Sequence, residues 1–269
     1  MPECRPEYNL YNDAFLGKNE RLIPKLEFLA RIAEQEKWDF KSNENEPRYT
    51  ILLNYLMYTY DRVKQEKKIA VSEDGQRMCF NTGLQTPYGN DIFACFGKSS
   101  YTGKNSKPWY LVGFKQIIDS EMKNFKSLPD IADYFTNPED FIYDKNLKIS
   151  LDYDHIIDDN IDRFIQIGIQ PAVYVIRALL ENAVKVVTDR LRRNYKVAIP
   201  QFYTDKSTGQ SKIQLLVPLC LRDPKAADLS LVLEKTSNCY IGKTILTLEW
   251  SYMNSRRIVK PDVDWLAII

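Results

Sequence analysis

Histidine is nearly missing from this chain of 269 residues, where His155 is the single example. Zinc proteases and dinuclear hydrolases use several histidine ligands, so the sequence excludes both kinds of metal centre. Cysteine is sparse too: the five residues are scattered, and none stands in a C-x-x-C spacing. A disulfide framework and a zinc site are therefore not expected, and a reducing cytoplasm is the predicted compartment.

Neither an excess of one charge nor a long apolar run is present. The 37 basic and 36 acidic side chains leave a net charge of +1, so nucleic-acid binding would need a local basic patch. No stretch approaches the roughly 20 apolar residues that span a bilayer, and the N-terminus lacks the apolar run of a signal peptide. We therefore expect a protein without a membrane partner. Its 44% of hydrophobic residues is enough for a packed core.

Hydrophobic periodicity divides the first half of the chain into helices followed by strands. Apolar residues at helical spacing predict helices over Glu20–Trp38 and Arg48–Glu66. Alternation of polar and apolar residues then predicts a hairpin around the dipeptide Asp74-Gly75. The remaining predictions are strands over Asp91–Phe96 and Trp109–Gln116 and a short helix near Leu128–Phe135.

The second half of the chain repeats the order of helix and then strands. Pro171 begins a long amphipathic helix that runs to Tyr195. Four strand-like segments follow, over Lys196–Tyr203, Lys212–Leu221, Asp228–Lys235 and Gly242–Tyr252. The predicted fold class is α+β, with two antiparallel β-meanders packed with N-terminal helices and one long central helix. We interpret residues 1–269 as a single domain with N-terminal helices 8–67, a first meander 68–118, a connector 119–169, and the long helix and second meander 170–269.

The single histidine lies beside Asp154, in the most acidic stretch of the sequence. A neighbouring aspartate can orient the imidazole of His155, which suits a general acid or base. The structural alternative is that Asp152 or Asp154 caps a short helix while His155 only bonds the backbone. Acidic residues that follow offer oxygen ligands for magnesium. They are Asp158, Asp159 and Asp162.

Basic residues crowd the end of the long helix, where Arg193 and Lys196 are candidates for phosphate contacts. Guanidinium groups match phosphate oxygens, but cations at a helix C-terminus also stabilise the helix dipole by about 0.3–1 kcal/mol each. Pro200 in the following strand implies an edge or a bulge. Gln201 and Tyr203 alternate onto one face of that strand and offer an amide and a phenol for reading a base or a ribose. An ordinary exposed sheet face would look the same.

Two further groups complete the candidate binding residues. Asn81 and Thr82 precede Gly83 at a strand end, where main-chain amides can cradle an anion, although most such strings are plain turns. Asn254 and Arg256 follow the last predicted strand and are suited to contact a phosphate or a base. Packing alone is the alternative for this last pair.

Five strings of the sequence resemble a known family in their order and spacing. They are Phe80–Leu84, Asp154–Phe164, Arg193–Gln201, Gln214–Leu221 and Thr244–Leu248. Together they resemble an uncharacterised bacterial family, domain of unknown function 3825, over nearly the whole chain. Members of that family are often joined to LOTUS (OST-HTH) or cold-shock domains, so the resemblance implies an RNA-linked role. The chain departs from the family pattern near Tyr252–Arg257, where the family tends to show a paired asparagine and an alanine, while Asn254 and Arg256 match.

Three hypotheses on function follow, with RNA or a nucleotide as the partner in the first two. The first is phosphoester hydrolysis without a multi-histidine metal centre. In it Arg163 and other cations neutralise the phosphate, and His155, oriented by Asp154, delivers a proton. The second is a non-catalytic module that stacks bases on tyrosines and uses the lysine loop 98–107. The third is an interaction scaffold in a bacterial stress or defence system. No cofactor is expected, apart from the magnesium option.

Overall fold

The chain divides into two compact units, residues 1–133 and 134–269, and each unit contains its own five-stranded sheet. The computed structural model describes residues 9–40, 48–103, 106–135, 137–170, 172–205 and 211–266. The fold is α+β as predicted, and the two meanders belong to separate sheets. The interpretation of residues 1–269 as a single domain stays a prediction. Pro171 lies outside the described residues, as do Lys104 and Asn105 of the lysine loop.

Three helices open the first unit: α1 (Asn9–Asp13), α2 (Asn19–Ile32) and α3 (Thr50–Gln65). The apolar stripe of α3 is buried, as its periodicity predicts. The prediction of a helix as far as Trp38 is too long, because α2 ends at Ile32 and Ala33 is already extended. Trp38 instead contacts the start of α3, where its carbonyl accepts the amide of Ile51 over 3.2 Å.

The sheet of the first unit has the strand order β1-β5-β4-β3-β2. Its strands are β1 (Ala14–Phe15), β2 (Ala70–Val71), β3 (Arg77–Gln85), β4 (Asp91–Lys98) and β5 (Trp109–Gln116). Neighbouring strands are antiparallel as predicted, except that the short β1 pairs with β5 in parallel. The sheet is therefore mixed. Gly75 forms the predicted turn between β2 and β3 with a φ of 66° and donates its amide to Ser72.

The helix predicted near Leu128–Phe135 is absent. Side chains of α3 and its C-terminal extension bind the carbonyls of this segment: Arg62 donates to Asp133 over 2.9 Å, and Lys68 donates to Ile131 over 2.8 Å. These contacts satisfy main-chain groups that a helix would otherwise pair internally. The prediction fails because the local pattern does not contain these distant partners.

The second unit contains the second sheet and the remaining helices. Its elements are β6 (Lys148–Ser150), α4 (Tyr153–Gln166), α5 (Val173–Arg193), β7 (Ile199–Thr204), β8 (Ser211–Leu219), β9 (Leu229–Lys235), β10 (Cys239–Leu246) and α6 (Leu248–Arg256). The order is β6-β10-β9-β8-β7, and β6 pairs with β10 in parallel, so this sheet is mixed as well. One face packs on α4 and α5 in an apolar core that includes Leu215, Val217, Leu231, Leu233, Ile176, Leu180 and Val187.

Two predictions in this unit concern where strands lie and end. Pro200 implied an edge or a bulge, and β7 is the edge strand of the sheet. The strand predicted over Gly242–Tyr252 instead ends at Leu246, because Thr247 caps α6 by accepting the amide of Trp250 over 3.4 Å. Across the described ranges, no helix is both long and apolar enough to cross a bilayer.

Candidate functional site

His155 lies on the solvent side of α4, in its first turn. Its side chain is 65% exposed, and its Nε2 atom lies 3.4 Å from Oδ2 of Asp159, one turn further along the helix. Its main-chain amide donates to Oδ1 of Asp152 over 3.2 Å, which makes Asp152 the N-cap of α4. The capping alternative is thus confirmed for Asp152, and the imidazole is open to solvent.

The carboxylate of Asp154 binds Arg177 and not His155. It pairs with Nη1 of Arg177 over 2.7 Å, and Arg177 also reaches Glu181 on the same helix. The expectation that Asp154 orients the imidazole is corrected accordingly, because the carboxylate paired with His155 is Asp159. Among the described residues no group of His, Cys, Asp and Glu side chains could hold a metal ion, so the magnesium option finds no ligand set there.

Arg163 binds the protein itself. Its Nη1 donates to Oδ1 of the buried Asn160, to the carbonyl of Ile245, and to Oγ1 of Thr244 over 3.2 Å. Burial lowers the pKa of Arg163 from its ordinary value. This guanidinium fastens α4 to β10 through its Nη1 atom.

Asn81 and Thr82 lie in a bulge where the register of β3 against β4 shifts. Both side chains are buried, and each accepts a main-chain amide: Asn81 from Gly83 over 2.9 Å and Thr82 from Leu84 over 3.2 Å. Gly83 has a φ of 73°, which suits glycine. The amides that the sequence offered for an anion are therefore already bonded to side chains of the bulge.

Arg193 and Lys196 are exposed at the end of α5. The guanidinium of Arg193 donates to the carbonyl of Asp189 over 2.6 Å, which satisfies one of the last carbonyls of the helix. The main-chain amide of Lys196 donates to Asn194, while its ammonium reaches solvent. Both positions fit the helix-dipole interpretation, and both cations remain accessible.

A chain of hydrogen-bonded amides crosses one face of the second sheet and joins two of the predicted residues. Asn254 on α6 donates to Gln201 over 3.1 Å, and Gln201 donates to Gln214 over 2.9 Å. Gln214 in turn donates to Glu234 over 3.0 Å, and Lys212 completes the series with an ion pair of 2.7 Å to the same carboxylate. The sequence pointed to Gln201 and Asn254 but missed the other three.

The carboxylate of Glu234 fixes the orientation of every amide in this chain. It can only accept, so Gln214 must present its NH2 group to it and its oxygen to Gln201, and the same order passes to Asn254. Burial raises the pKa of Glu234, but hydrogen bonds from Lys212 and Gln214 and the charges of Lys212 and Lys243 outweigh it, and the pKa lies below its ordinary value. The group is held as an anion inside a largely satisfied network, which is how structural polar networks are built.

The remaining predicted residues of the second unit are not part of this chain of amides. Tyr203 pairs with Lys212 in the strand register and is 42% exposed. Arg256 is buried on α6. The structure thus brings Gln201 and Asn254 together, whereas Asn81 and Thr82 belong to the first unit. The three residues assigned to catalysis contact different partners: Asp159 for His155, Arg177 for Asp154, and Asn160, Thr244 and Ile245 for Arg163.

An exposed row of side chains in the first sheet was not anticipated. The strand register aligns Phe15 with Tyr110, Tyr110 with Gly97, and Gly97 with Arg77, so these four residues lie side by side on one face. We call them the aromatic row. Phe15 is 54% exposed and Tyr110 is 45% exposed. The two rings belong to neighbouring strands and form one exposed aromatic patch.

The ring of Tyr110 lies over the backbone of Gly97. A Cβ atom built on Gly97 would meet the Cζ of Tyr110 at 2.6 Å and its Oη at 2.7 Å. One side of the ring is thus covered by the sheet, while the remaining exposure leaves the other side to solvent. A ring held in this way offers a flat surface for stacking.

One cation lies in the aromatic row. Arg77 ends the row on β3, and no ion pair or side-chain hydrogen bond holds its guanidinium within the described ranges. Lys98, which ends β4, is exposed too, but it follows Gly97 directly, so its side chain leaves the opposite face of the sheet. Glu73 and Asp74 lie on the preceding turn, and hydrogen bonds from Ser72 and Gln76 together with the charge of Arg77 lower the pKa of Asp74. The face therefore combines open aromatic surface with the guanidinium of Arg77, whose charge interacts with Asp74.

The comparisons with known proteins agree with the resemblance in the sequence. The family model described as a domain of unknown function (DUF3825) matches residues 29–265, which leaves out α1, β1 and most of α2 in the first unit. No curated protein matches the chain, and no solved structure matches it either. Because the match extends over far more than half of the sequence, the chain belongs to the DUF3825 family.

Proposed function

We propose that the protein is a nucleic-acid-binding module whose first unit binds single-stranded RNA on the aromatic row. Unpaired bases stack on Tyr110 and Phe15, and a phosphate contacts Arg77. Neighbouring strands lie about 4.8 Å apart, so rings on adjacent strands can receive successive bases. The single observation that carries the proposal is the ring of Tyr110, which rests on Gly97 and leaves its outer side open.

The choice of RNA as the partner depends on local charge and on what the sequence resemblance implies. The net charge of +1 means that attraction comes from the local charge of Arg77, so binding weakens as salt rises. The LOTUS and cold-shock domains to which members of the resembled family are often joined support a role with RNA. Single-stranded DNA, which lacks the 2′-hydroxyl, is the natural competitor in the assay.

The test is fluorescence anisotropy with a labelled single-stranded RNA of mixed sequence, titrated with the full chain at several salt concentrations. Tyr110→Ala and Phe15→Ala should each weaken binding about tenfold, because one stacked base contributes about 1–3 kcal/mol. Tyr88→Ala is the matched control, since Tyr88 is 91% exposed in the turn at the opposite end of β3 and β4. The proposal would be overturned if the wild-type chain did not bind the RNA at low salt. It would also be overturned if all three variants bound the RNA with the same affinity as the wild type.

Phosphoester hydrolysis is the second candidate, and the exposed pair of His155 and Asp159 is the observation that favours it. A carboxylate within reach of an imidazole can orient it for proton transfer. The same RNA is incubated with wild-type protein, with and without magnesium, and with His155→Ala, and the products are separated by mass. Products that disappear in His155→Ala would support catalysis, whereas intact RNA under every condition leaves binding as the function.

A further inference from the structure

Two cysteines face each other across the central strands of the first sheet. Cys79 on β3 pairs with Cys95 on β4 in the strand register, so both side chains leave the same face of the sheet. Both are buried, at 0% and 5% exposure, and both are reduced. The sequence separates them by a full hairpin, and only the register makes them direct neighbours.

The hydrogen-bond pattern determines how close the two residues come. The amide of Lys98 donates to the carbonyl of Gln76 over 2.9 Å, which marks residues 76 and 98 as a hydrogen-bonded pair. Pairs alternate along antiparallel strands, so Cys79 and Cys95 form a non-hydrogen-bonded pair. In such pairs the Cα atoms lie about 4.5 Å apart, within the range of about 4.4–6.8 Å that a disulfide accepts.

The surroundings of the pair are apolar and contain sulfur. The Sγ atom of Cys95 lies 3.4 Å from Sδ of Met122, and Phe125 packs against the same cluster. These two residues belong to the segment after β5, which an ion pair of 2.6 Å between Lys115 and Glu121 fastens to the sheet. The segment covers both thiols, so an oxidant reaches them only when it opens.

We propose that Cys79 and Cys95 are an oxidisable dithiol that closes to a reversible disulfide within the folded protein, with a small-molecule disulfide such as oxidised glutathione as the oxidant. The inference is independent of RNA binding. Cys95, which keeps slight exposure, attacks the glutathione disulfide as thiolate and releases one glutathione thiolate. Cys79 then attacks the Cys95 sulfur of the mixed disulfide and releases the second. The two protein thiols give up two protons and two electrons, which end on two molecules of reduced glutathione.

The reaction is slow while the covering segment is closed. Burial raises the pKa of Cys95 to about 12 and raises that of Cys79 even further, so little thiolate is present at neutral pH. The other described cysteines lack a facing thiol: Cys220 lies 3.6 Å from Arg190, and Cys239 lies beside Thr236. At those positions glutathione is expected to form mixed disulfides at most.

The experiment uses the full chain under native conditions. Protein is incubated with excess oxidised glutathione at about pH 8, quenched with N-ethylmaleimide during denaturation, and digested with trypsin. Trypsin cleaves after Arg77 and Lys98, so residues 78–98 leave as one peptide that contains both cysteines. The expected peptide is lighter by two hydrogen atoms and gains two maleimide groups only after reduction.

Variants separate this disulfide from general oxidation. Cys79→Ser should abolish the internal disulfide and leave Cys95 either alkylated or glutathionylated, while the matched control Cys220→Ser should leave it unchanged. Circular dichroism before the quench verifies that the oxidised chain is folded. If residues 78–98 still carry two maleimide groups when Cys220 is fully glutathionylated, or if Cys79 is found linked to a different cysteine, the proposal is overturned.

Discussion

The ring of Tyr110 occupies the space above Gly97 on the adjacent strand, with its Cζ atom 2.6 Å from the point where a Cβ on Gly97 would lie. Gly97 is not among the glycines with positive φ, so a side chain here is excluded by space and not by backbone conformation. Any larger residue at this position must push the ring away from the sheet. A substitution at Gly97 can therefore test the stacking surface without altering an aromatic residue.

Gly97→Val should lower the affinity for single-stranded RNA about threefold to tenfold, because the displaced Tyr110 loses its fixed orientation. Valine is favourable in strands, so the sheet should be retained. In a Tyr110→Ala background the same substitution should cause no further loss, since the ring it displaces is gone. Additive losses in the double variant, measured by anisotropy, would mean that Gly97 acts independently of Tyr110.

Arg77→Gln should weaken RNA binding to a similar degree for different base sequences. It should also reduce the slope of the logarithm of the binding constant against the logarithm of salt concentration by about one, because one phosphate contact disappears. Lys37→Gln is the control: this exposed lysine follows Glu34, whose amide binds Gln85 at the far end of β3. An unchanged slope in Arg77→Gln would remove this guanidinium from the interface.

Arg163→Ala should destabilise the second unit by about 1–3 kcal/mol, because charge-assisted hydrogen bonds are lost and the carbonyl of Ile245 loses a donor. Urea unfolding followed by circular dichroism measures the change. Arg193→Ala serves as the control at an exposed position and should shift stability by less than about 0.5 kcal/mol. Equal stability of the two variants would contradict the fastening role of Arg163.

Glu234→Gln should lower the free energy of unfolding at neutral pH, and the loss should be smaller in acid. The folded-state pKa of Glu234 is lowered, so its contribution is present above the unfolded pKa of about 4.3 and is lost as pH falls through the folded value. The difference in urea midpoint between wild type and variant should therefore shrink below about pH 4. The exposed Glu249→Gln provides the comparison. A difference that stays constant with pH would show that charge is not the cause.

Much of the fold follows from local patterns in the sequence. The periodicity of α3 and α5 and the dipeptide Asp74-Gly75 identify elements whose signals lie within a few residues. The parallel strands β1 and β6 are too short to carry a pattern of their own. They form because a long strand offers an unpaired edge, which is a property of the assembled sheet.

The candidate site is harder to predict from the sequence, because the role of each residue also depends on the assembled structure. Residues chosen by chemical type, such as Arg163 and Asn81, are also the types that cap helices, fill bulges and bind carbonyls, and the structure uses them in those ways. The aromatic row instead depends on the register between strands. From the sequence alone Tyr110 is an ordinary strand residue, and only its alignment with Gly97 identifies it as a stacking surface.

The central claim is that RNA contacts the aromatic row, and photochemical cross-linking tests it most directly. Wild-type protein is irradiated with thiouridine-containing single-stranded RNA, digested, and analysed by mass spectrometry. The account predicts cross-links on peptides that contain Phe15 or Tyr110, reduced by excess unlabelled RNA and lost from the altered position in Tyr110→Ala. Cross-links confined to the second unit, for example around Arg193 and Tyr203, would contradict it.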